Sequence, residues 1–187
     1  MALPSVRMEY RIQLSHVDRG LETAQTVVAA LHPSETMEHM TLRVLAWCLL
    51  YEEGLGFGPG LGDPEAADLW AHDLTGRLRT WIECGTADAD KLRRVLQHNS
   101  DAQVHAVFNG ERRQRELLEQ IAGQDRTRAW KGAARVTLWQ IDEALVAALA
   151  AREGRRHRLA VTVVGDHLYI DADGQSVDGA AARSALP

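Results

Sequence analysis

The sequence is poor in the features that mark several classes of protein. It has two cysteines among 187 residues, too few for a disulfide framework and typical of a reducing compartment. No apolar run approaches the roughly 18 residues that a membrane-spanning helix needs. The first residues also lack the apolar core of a signal peptide. We therefore expect a cytoplasmic protein that does not associate with membranes.

Positive charge and aromatic side chains are scarce as well. The net charge is −5, and aromatic residues make up 5% of the chain. A domain with broad affinity for nucleic acid usually carries an excess of positive charge, and base stacking needs an aromatic platform. A nucleic-acid partner would therefore have to use local basic clusters, at residues 112–115, 126–131 and 155–158. The alternative is that each cluster is an ordinary solvated surface.

Length and composition favour one ordinary globular domain. Hydrophobic residues make up 45% of the chain and charged residues 25%, which is usual for a folded domain. We assign residues 1–173 to a single domain. Residues 174–187 are small and polar, so we expect a flexible C-terminal tail. Nothing in the composition requires an oligomer, and a monomer is favoured.

Periodicity predicts an α/β domain with a mixed sheet. A strand, a helix and a strand in succession suggest a right-handed crossover between parallel neighbours. The glycine-rich segment 54–62 lacks Gly-Lys-Ser/Thr and predicts a loop rather than a phosphate-binding loop. The predicted strands cover residues 6–16, 22–31, 103–108 and 135–138, with hairpins over 68–85 and 157–170, and the predicted helices cover 34–53, 88–98, 111–122 and 140–152.

The hairpin at residues 68–85 carries the most informative residues. Asp68 lies on its first strand and Glu83 near the end of its second, beside Trp81. A buried carboxylate is costly unless it meets a partner, a proton or a cation. Two acids that meet across a hairpin could bind a hard divalent cation. The alternative is a structural pair neutralised by Arg77 or Arg79.

The helix predicted over residues 34–53 offers a third acid. At 100° per residue, Glu35, His39 and Arg43 form a narrow polar stripe on an otherwise apolar helix. Glu38 lies off this stripe, on the side of Leu42, and this spacing predicts that it faces the core. The alternative is that Glu38 extends to solvent from the first turn of the helix, where the helix dipole favours an acid.

These motifs resemble those of a known family. Asp68 followed by Trp81-Ile82-Glu83 resembles the PD-(D/E)XK nuclease superfamily. The wider pattern in residues 32–38, 68–76 and 81–85 resembles the bacterial YaeQ family over residues 1–175. The resemblance implies a restriction-endonuclease-like mixed β-sheet flanked by helices.

The resemblance also implies a metal site. Asp68 and Glu83 would bind Mg²⁺ or Mn²⁺, and the backbone carbonyl of Cys84 would be a third ligand. Glu38 would hold that ion, or a second ion, through water. The superfamily pattern places a lysine two residues after the glutamate, but this sequence has Gly85 there.

Another basic residue must replace that lysine if the site is catalytic. Lys91 is the best candidate, because it lies one turn into the following helix, and Arg79 is the second choice. The alternative for Lys91 is a solvated helix lysine.

The resemblance predicts a metal-dependent nuclease acting on DNA or RNA. The first alternative is a catalytically lapsed nuclease-like domain that serves as a nucleic-acid- or protein-binding module, which the missing lysine and the acidic net charge favour. A second alternative is a regulatory partner of the transcription or translation machinery without any such site.

Overall fold

A computed structural model describes residues 4–59, 63–123 and 130–186. In these ranges, four α-helices accompany ten strands that form one sheet. The helices are α1 (Met37–Leu49), α2 (Ala89–His98), α3 (Glu111–Gly123) and α4 (Glu143–Ala150). The strands are β1 (Val6–His16), β2 (Leu21–Leu31), β3 (Gly56–Phe57), β4 (Leu69–His72), β5 (Leu78–Cys84), β6 (Gln103–Asn109), β7 (Val136–Ile141), β8 (Arg156–Val164), β9 (His167–Ala172) and β10 (Gln175–Ala185).

The sheet is mixed, as the sequence predicted. Its order is β2-β1-β8-β9-β10-β7-β6-β5-β4-β3. The pairs β1/β8, β5/β6 and β6/β7 are parallel, and the other neighbouring pairs are antiparallel. The β4–β5 and β8–β9 hairpins and the parallel pairing of β5 with β6 across α2 are therefore confirmed.

Helices cover the two ends of the sheet differently. One hydrophobic core packs α1 and α4 against β1, β8 and β9 and against one face of β4 and β5. A second core packs α2 and α3 against the other face of β5, β6 and β7. Consequently β5 is buried at every residue from Thr80 to Cys84, whereas β1 alternates between buried and exposed residues. A strand covered on both faces cannot show a period of two in its burial.

Helix α1 lies at the centre of the molecule. Thr36 caps it, because its hydroxyl accepts a hydrogen bond from the backbone N–H of His39. Every residue from Met40 to Leu49 is buried, including Arg43. The helix is shorter than the predicted range of 34–53, and it has no solvent-facing stripe after its first turn. None of the helices described is long and apolar enough to cross a membrane.

The expectation of a flexible C-terminal tail is wrong. Strand β10 lies inside the sheet, paired with β9 on one side and β7 on the other. Its small residues are a packing requirement, because a Cβ atom at Gly179 would lie 2.9 Å from the Cβ of Leu145 on α4. Small, polar composition therefore reflects close passage under a helix here, and the boundary at residue 173 does not hold.

Two other predictions differ in detail. The helix predicted from residue 140 begins at Glu143, because β7 continues to Ile141. The glycine-rich segment contributes β3, whose Gly56 and Phe57 pair with β4. Residues 60–62 of that segment and 126–129 of the second basic cluster lie outside the described ranges.

Candidate functional site

The β4–β5 hairpin brings Asp68 and Glu83 together. The register that pairs Leu69 with Ile82 and Trp70 with Trp81 places Asp68, directly before β4, opposite Glu83. Side chains directly opposite each other in an antiparallel pair lie on the same face. Both are buried, with 8% of Asp68 and 5% of Glu83 exposed. Both line one cleft of about 390 Å³.

Two side chains contact the same carboxylate oxygen of Glu83. The indole N–H of Trp81 donates to Oε1 at 2.7 Å, and Nζ of Lys91 lies 2.8 Å from the same oxygen. Burial raises the pKa of Glu83 to about 7, although Lys91 and Trp81 both act to lower it. A buried carboxyl that is perturbed in this way and lines a cleft is a candidate functional group.

Lys91 reaches the hairpin from the first turn of α2. The carboxylate of Asp88 caps α2 and accepts a hydrogen bond from the backbone N–H of Lys91 at 2.7 Å. The amino group then donates to the carbonyl of Ala66 at 2.8 Å and lies 5.5 Å from the ring centre of Trp81. The structure therefore places Lys91 beside Glu83, in the position expected for a lysine that replaces the one missing at residue 85.

Gly85 could not simply be exchanged for lysine. Its φ is +78°, a left-handed conformation that favours glycine. A Cβ atom at this position would lie 3.1 Å from Cδ2 of His39. The ring of His39 thus occupies the space into which a side chain at position 85 would extend.

Asp68 is anchored to β5 and faces two basic side chains. Its Oδ2 accepts the backbone N–H of Cys84 at 2.7 Å. Its Oδ1 lies 3.5 Å from Nε of Arg43 and 3.7 Å from Nε2 of His39. Arg43 is fully buried and also donates to the backbone carbonyls of Gly58 and Asp68, at 3.1 and 3.3 Å. Arg43 therefore fixes the approach of β4 to α1.

Glu35 and His39 complete the buried charge network. Oε1 of Glu35 lies 2.7 Å from Nδ1 of His39 and 3.2 Å from Nη1 of Arg43. Nε2 of His39 lies 3.1 Å from the carbonyl oxygen of Cys84. Burial alone would lower the pKa of His39, but the bond to Glu35 and the charge of Asp68 raise it. Burial opposes ionisation of Glu35, yet His39 and Arg43 hold the pKa of that carboxyl below its usual range.

The expectation that Glu38 faces the core is wrong. Its side chain is exposed and is not among the residues that line the cleft. Helix α1 begins at Met37, so Glu38 lies in its first turn, where it projects into solvent. The acid that lies next to the hairpin is instead Glu35, in the loop that precedes α1. The polar stripe of Glu35, His39 and Arg43 on an otherwise apolar helix was the signal for these residues, although the pattern alone gave them no role.

The arginines considered as neutralising partners also differ from expectation. Arg79 pairs with Glu52, and the cations beside Asp68 and Glu83 are instead Arg43 and Lys91. Asp73 shapes the hairpin turn, since its carboxylate accepts the backbone N–H groups of Thr75 and Arg77.

The cysteines and the first basic cluster do not extend the site. Cys48 and Cys84 are buried, and burial raises the pKa of both thiols, so neither is poised as a thiolate nucleophile. Arg112 and Arg113 lie on α3 and pair with Glu116, which is the ordinary pattern of a solvated helix surface.

The residues of the cleft fit a metal ion that takes its other ligands from water and substrate. Among residues 4–59, 63–123 and 130–186, no group of three or more His, Cys, Asp or Glu side chains is arranged to hold a metal ion. The carbonyl of Cys84 is already engaged by His39. The carboxylates of Asp68 and Glu83 remain, and Mg²⁺ is commonly held by one or two carboxylates together with water and substrate phosphate oxygens.

Comparison with known proteins gives one consistent family. The family model described as YaeQ protein matches residues 1–180. Curated relatives named "Uncharacterized protein YaeQ" include one from Escherichia coli strain K12, 26% identical over 178 residues, which cover 95% of this chain and 94% of the relative. One from Salmonella typhi is 27% identical over 170 residues, which cover 91% of this chain and 90% of the relative.

Solved structures agree. The crystal structure of YaeQ protein from Xanthomonas axonopodis pv. citri matches with a TM-score of 0.83 and 25% identity, covering 98% of this chain and 99% of the other. That of YaeQ protein from Pseudomonas syringae matches with a TM-score of 0.81 and 26% identity, covering 96% of each chain.

Proposed function

Because the chain belongs to the YaeQ family, we propose that it is a nuclease-like enzyme that cleaves phosphodiester bonds of DNA or RNA with Mg²⁺ or Mn²⁺. We further propose that α1, β4, β5, α2 and β6 correspond to the core of a restriction-endonuclease-like fold. Two buried cysteines without a disulfide are compatible with action in the bacterial cytoplasm.

One observation carries this proposal. Asp68 and Glu83 lie opposite each other in one cleft, and Nζ of Lys91 lies 2.8 Å from Glu83. Two acids and a lysine are thereby assembled although the lysine is absent from its usual sequence position. Such a combination can hold a cation and a phosphate group side by side.

Each residue has a defined task in the proposed reaction. Asp68 and Glu83 would hold the cation, which supplies charge neutralisation for the phosphate and a more acidic water. Lys91 is fixed by the carbonyl of Ala66 and by Glu83, and it would contact a phosphate oxygen and orient the attacking water. Trp81 would keep the carboxylate of Glu83 in place through its indole N–H.

A second candidate function is supported by a different observation. Arg43 and His39 face Asp68, and the N–H of Cys84 binds its second oxygen. A carboxylate that is neutralised inside the protein has less need of an external cation. This arrangement favours a lapsed nuclease-like domain that binds nucleic acid or protein without turnover.

Metal titration and turnover assays separate the two candidates. We would measure Mn²⁺ binding by calorimetry and cleavage of single- and double-stranded DNA and RNA. Glu83→Gln and Lys91→Met should each lower turnover by about 10² or more, the size usual for loss of a charge-stabilising group.

Matched controls are available near the cleft. Arg94 lies on α2 and pairs with exposed Glu65, so Arg94→Met and Glu65→Gln should leave turnover unchanged. Cleavage that survives in Glu83→Gln would remove the proposed mechanism. Nucleic-acid binding without cleavage or Mn²⁺ uptake in the wild type would support the lapsed domain instead.

A further inference from the structure

Strand β2 ends the sheet with a long unpaired side. It pairs with β1 over eleven residues, from Leu21 to Leu31, without a register shift. In the ranges that the structure covers, no strand lies beyond it, and β1 is the element that packs extensively against it. A row of backbone N–H and C=O groups therefore faces outward along this side.

The usual protections of an edge strand are missing here. Natural proteins keep edge strands short, interrupt them with bulges, or place proline and lysine on them. At the other end of the sheet, β3 has only two residues. Strand β2 contains no proline, no lysine and a single charged residue, Glu22. The two ends of one sheet thus differ sharply in their capacity to accept another strand.

Apolar side chains along β2 are incompletely covered. Leu21, Val27 and Leu31 pack at the rim of the core and are only partly buried. Val28 is 44% exposed, and Val17, beside the β1–β2 turn, is 54% exposed. A further strand beside β2 would cover these partly buried side chains. It would also form hydrogen bonds with the free backbone groups of β2.

We propose that β2 pairs with β2 of a second copy of this chain, in an antiparallel two-fold dimer that joins the two sheets. Self-pairing of this kind is isologous, so both copies use the same surface. Centred on Thr26, it places Leu21 opposite Leu31 of the partner subunit. It also places Glu22 opposite Ala30 of the partner subunit.

Charge and polarity both favour this occupant. The apolar residues at the two ends of the strand meet each other, and the only charge of β2 faces a neutral residue. Like charges directly opposite each other would destabilise the pair, and the proposed register contains none. The dimer differs from the monomer that the sequence led us to expect, and it does not depend on the proposed nuclease activity.

Analytical ultracentrifugation of the full chain tests the dimer. Between about 1 µM and 1 mM, the range in which modest interfaces associate, the wild type should approach twice the chain mass of 20.7 kDa. The double variant Thr26→Lys, Val28→Lys brings like charges together across the two-fold axis. It should weaken association at least ~100-fold.

The control places the same charges on inner strands. Ala160 on β8 and Tyr169 on β9 are exposed, but both strands are paired on each side. The variant Ala160→Lys, Tyr169→Lys should dimerise like the wild type. A wild type that stays at the mass of one chain at all concentrations overturns the proposal, as does a dimer that survives the β2 lysines.

Hydrogen exchange of the wild type gives a readout that needs no variant. Amides within residues 21–31 should gain protection as concentration rises, while those of β8 should not change. Protection that increases elsewhere and not in β2 would also overturn the proposal, because association would then use another surface.

Discussion

At one end of the sheet β5 is covered by helices on both faces, and at the other end β1 and β2 are covered on one face only. We call the first the cleft end (β3–β7 with α1, α2 and α3) and the second the open end (β1, β2, β8 and β9). The cleft end contains buried ionisable groups that are arranged in pairs, such as Glu83 with Lys91. At the open end most charged residues are exposed, as Arg11 and Arg158 are.

The difference in burial between the two ends decides how tightly a charged side chain is positioned. A carboxylate buried between two cores must find a partner within hydrogen-bonding distance, because burial removes most of its solvation. On an open face, the same group is solvated and its partner is optional. The cleft end is therefore where chemistry is expected, and the open end is where association with another sheet is expected.

The largest expected effect comes from breaking the buried network at the cleft end. Arg43→Met would leave Glu35 and Asp68 without their shared guanidinium, and it should lower the free energy of unfolding by about 3–5 kcal/mol. Urea denaturation measures this. Arg158→Met removes an arginine of the open end whose side chain is 78% exposed, and it should cost less than ~1 kcal/mol. Equal losses in the two variants would contradict the comparison.

A pH dependence should also come from the cleft end. Burial lowers the pKa of His105 to about 4, below its ordinary value of 6.5. Between these values the unfolded chain binds more protons than the folded one, so this contribution to stability is complete above pH 6.5 and is lost as the pH falls towards 4. The loss should be at most about 3 kcal/mol.

The measurement is urea denaturation at several pH values for wild type and His105→Gln. Nδ1 of His105 accepts the indole N–H of Trp139 at 3.2 Å, which requires an unprotonated nitrogen. The variant should lose stability more gently than the wild type between pH 6.5 and 4. If the free energy of unfolding falls with pH equally in the wild type and the variant, the acid sensitivity comes from other groups. His72→Gln replaces an exposed histidine and should leave the wild-type slope intact.

An intermediate effect should come from the strand that joins the two ends. Gly179→Ala places a Cβ atom 2.9 Å from that of Leu145, and the overpacking should destabilise the protein by about 1–3 kcal/mol. Thermal unfolding measures this. Ser176→Ala alters an exposed position of β10 and should change little. A neutral Gly179→Ala would mean that β10 is not packed tightly against α4.

The smallest effect is expected where the open end meets α1. Tyr10, His157 and Arg152 line a cavity of about 20 Å³. The hydroxyl of Tyr10, Nε2 of His157 and Nε of Arg152 are buried and have no hydrogen-bond partner among the described residues. This volume accepts one water molecule, which a high-resolution crystal structure should show. Tyr10→Phe should cost about 1 kcal/mol, and an empty cavity with all three polar atoms unbound would contradict the expectation.

Some of this structure was readable from residue patterns alone. The period-two alternation of residues 6–16 and 157–164 predicted strands, and β1 and β8 confirm it. Lys91 was the candidate replacement lysine because it lies one turn into the helix after β5, and it does lie beside Glu83. Patterns failed where a residue's surroundings come from distant segments, as for Glu38, whose facing depends on the helix start, and for β10, whose small residues fit beneath α4.

The sequence by itself determined the family, the alternating strands of the open end and the hairpin that sets Asp68 against Glu83. Only the tertiary structure decided which cations face those acids, that Glu35 rather than Glu38 joins them, and that the last strand lies within the sheet. The physical reason is that periodicity reports one exposed face. A helix or strand buried on all sides has no such face, so its polar residues are oriented by partners far away in the chain.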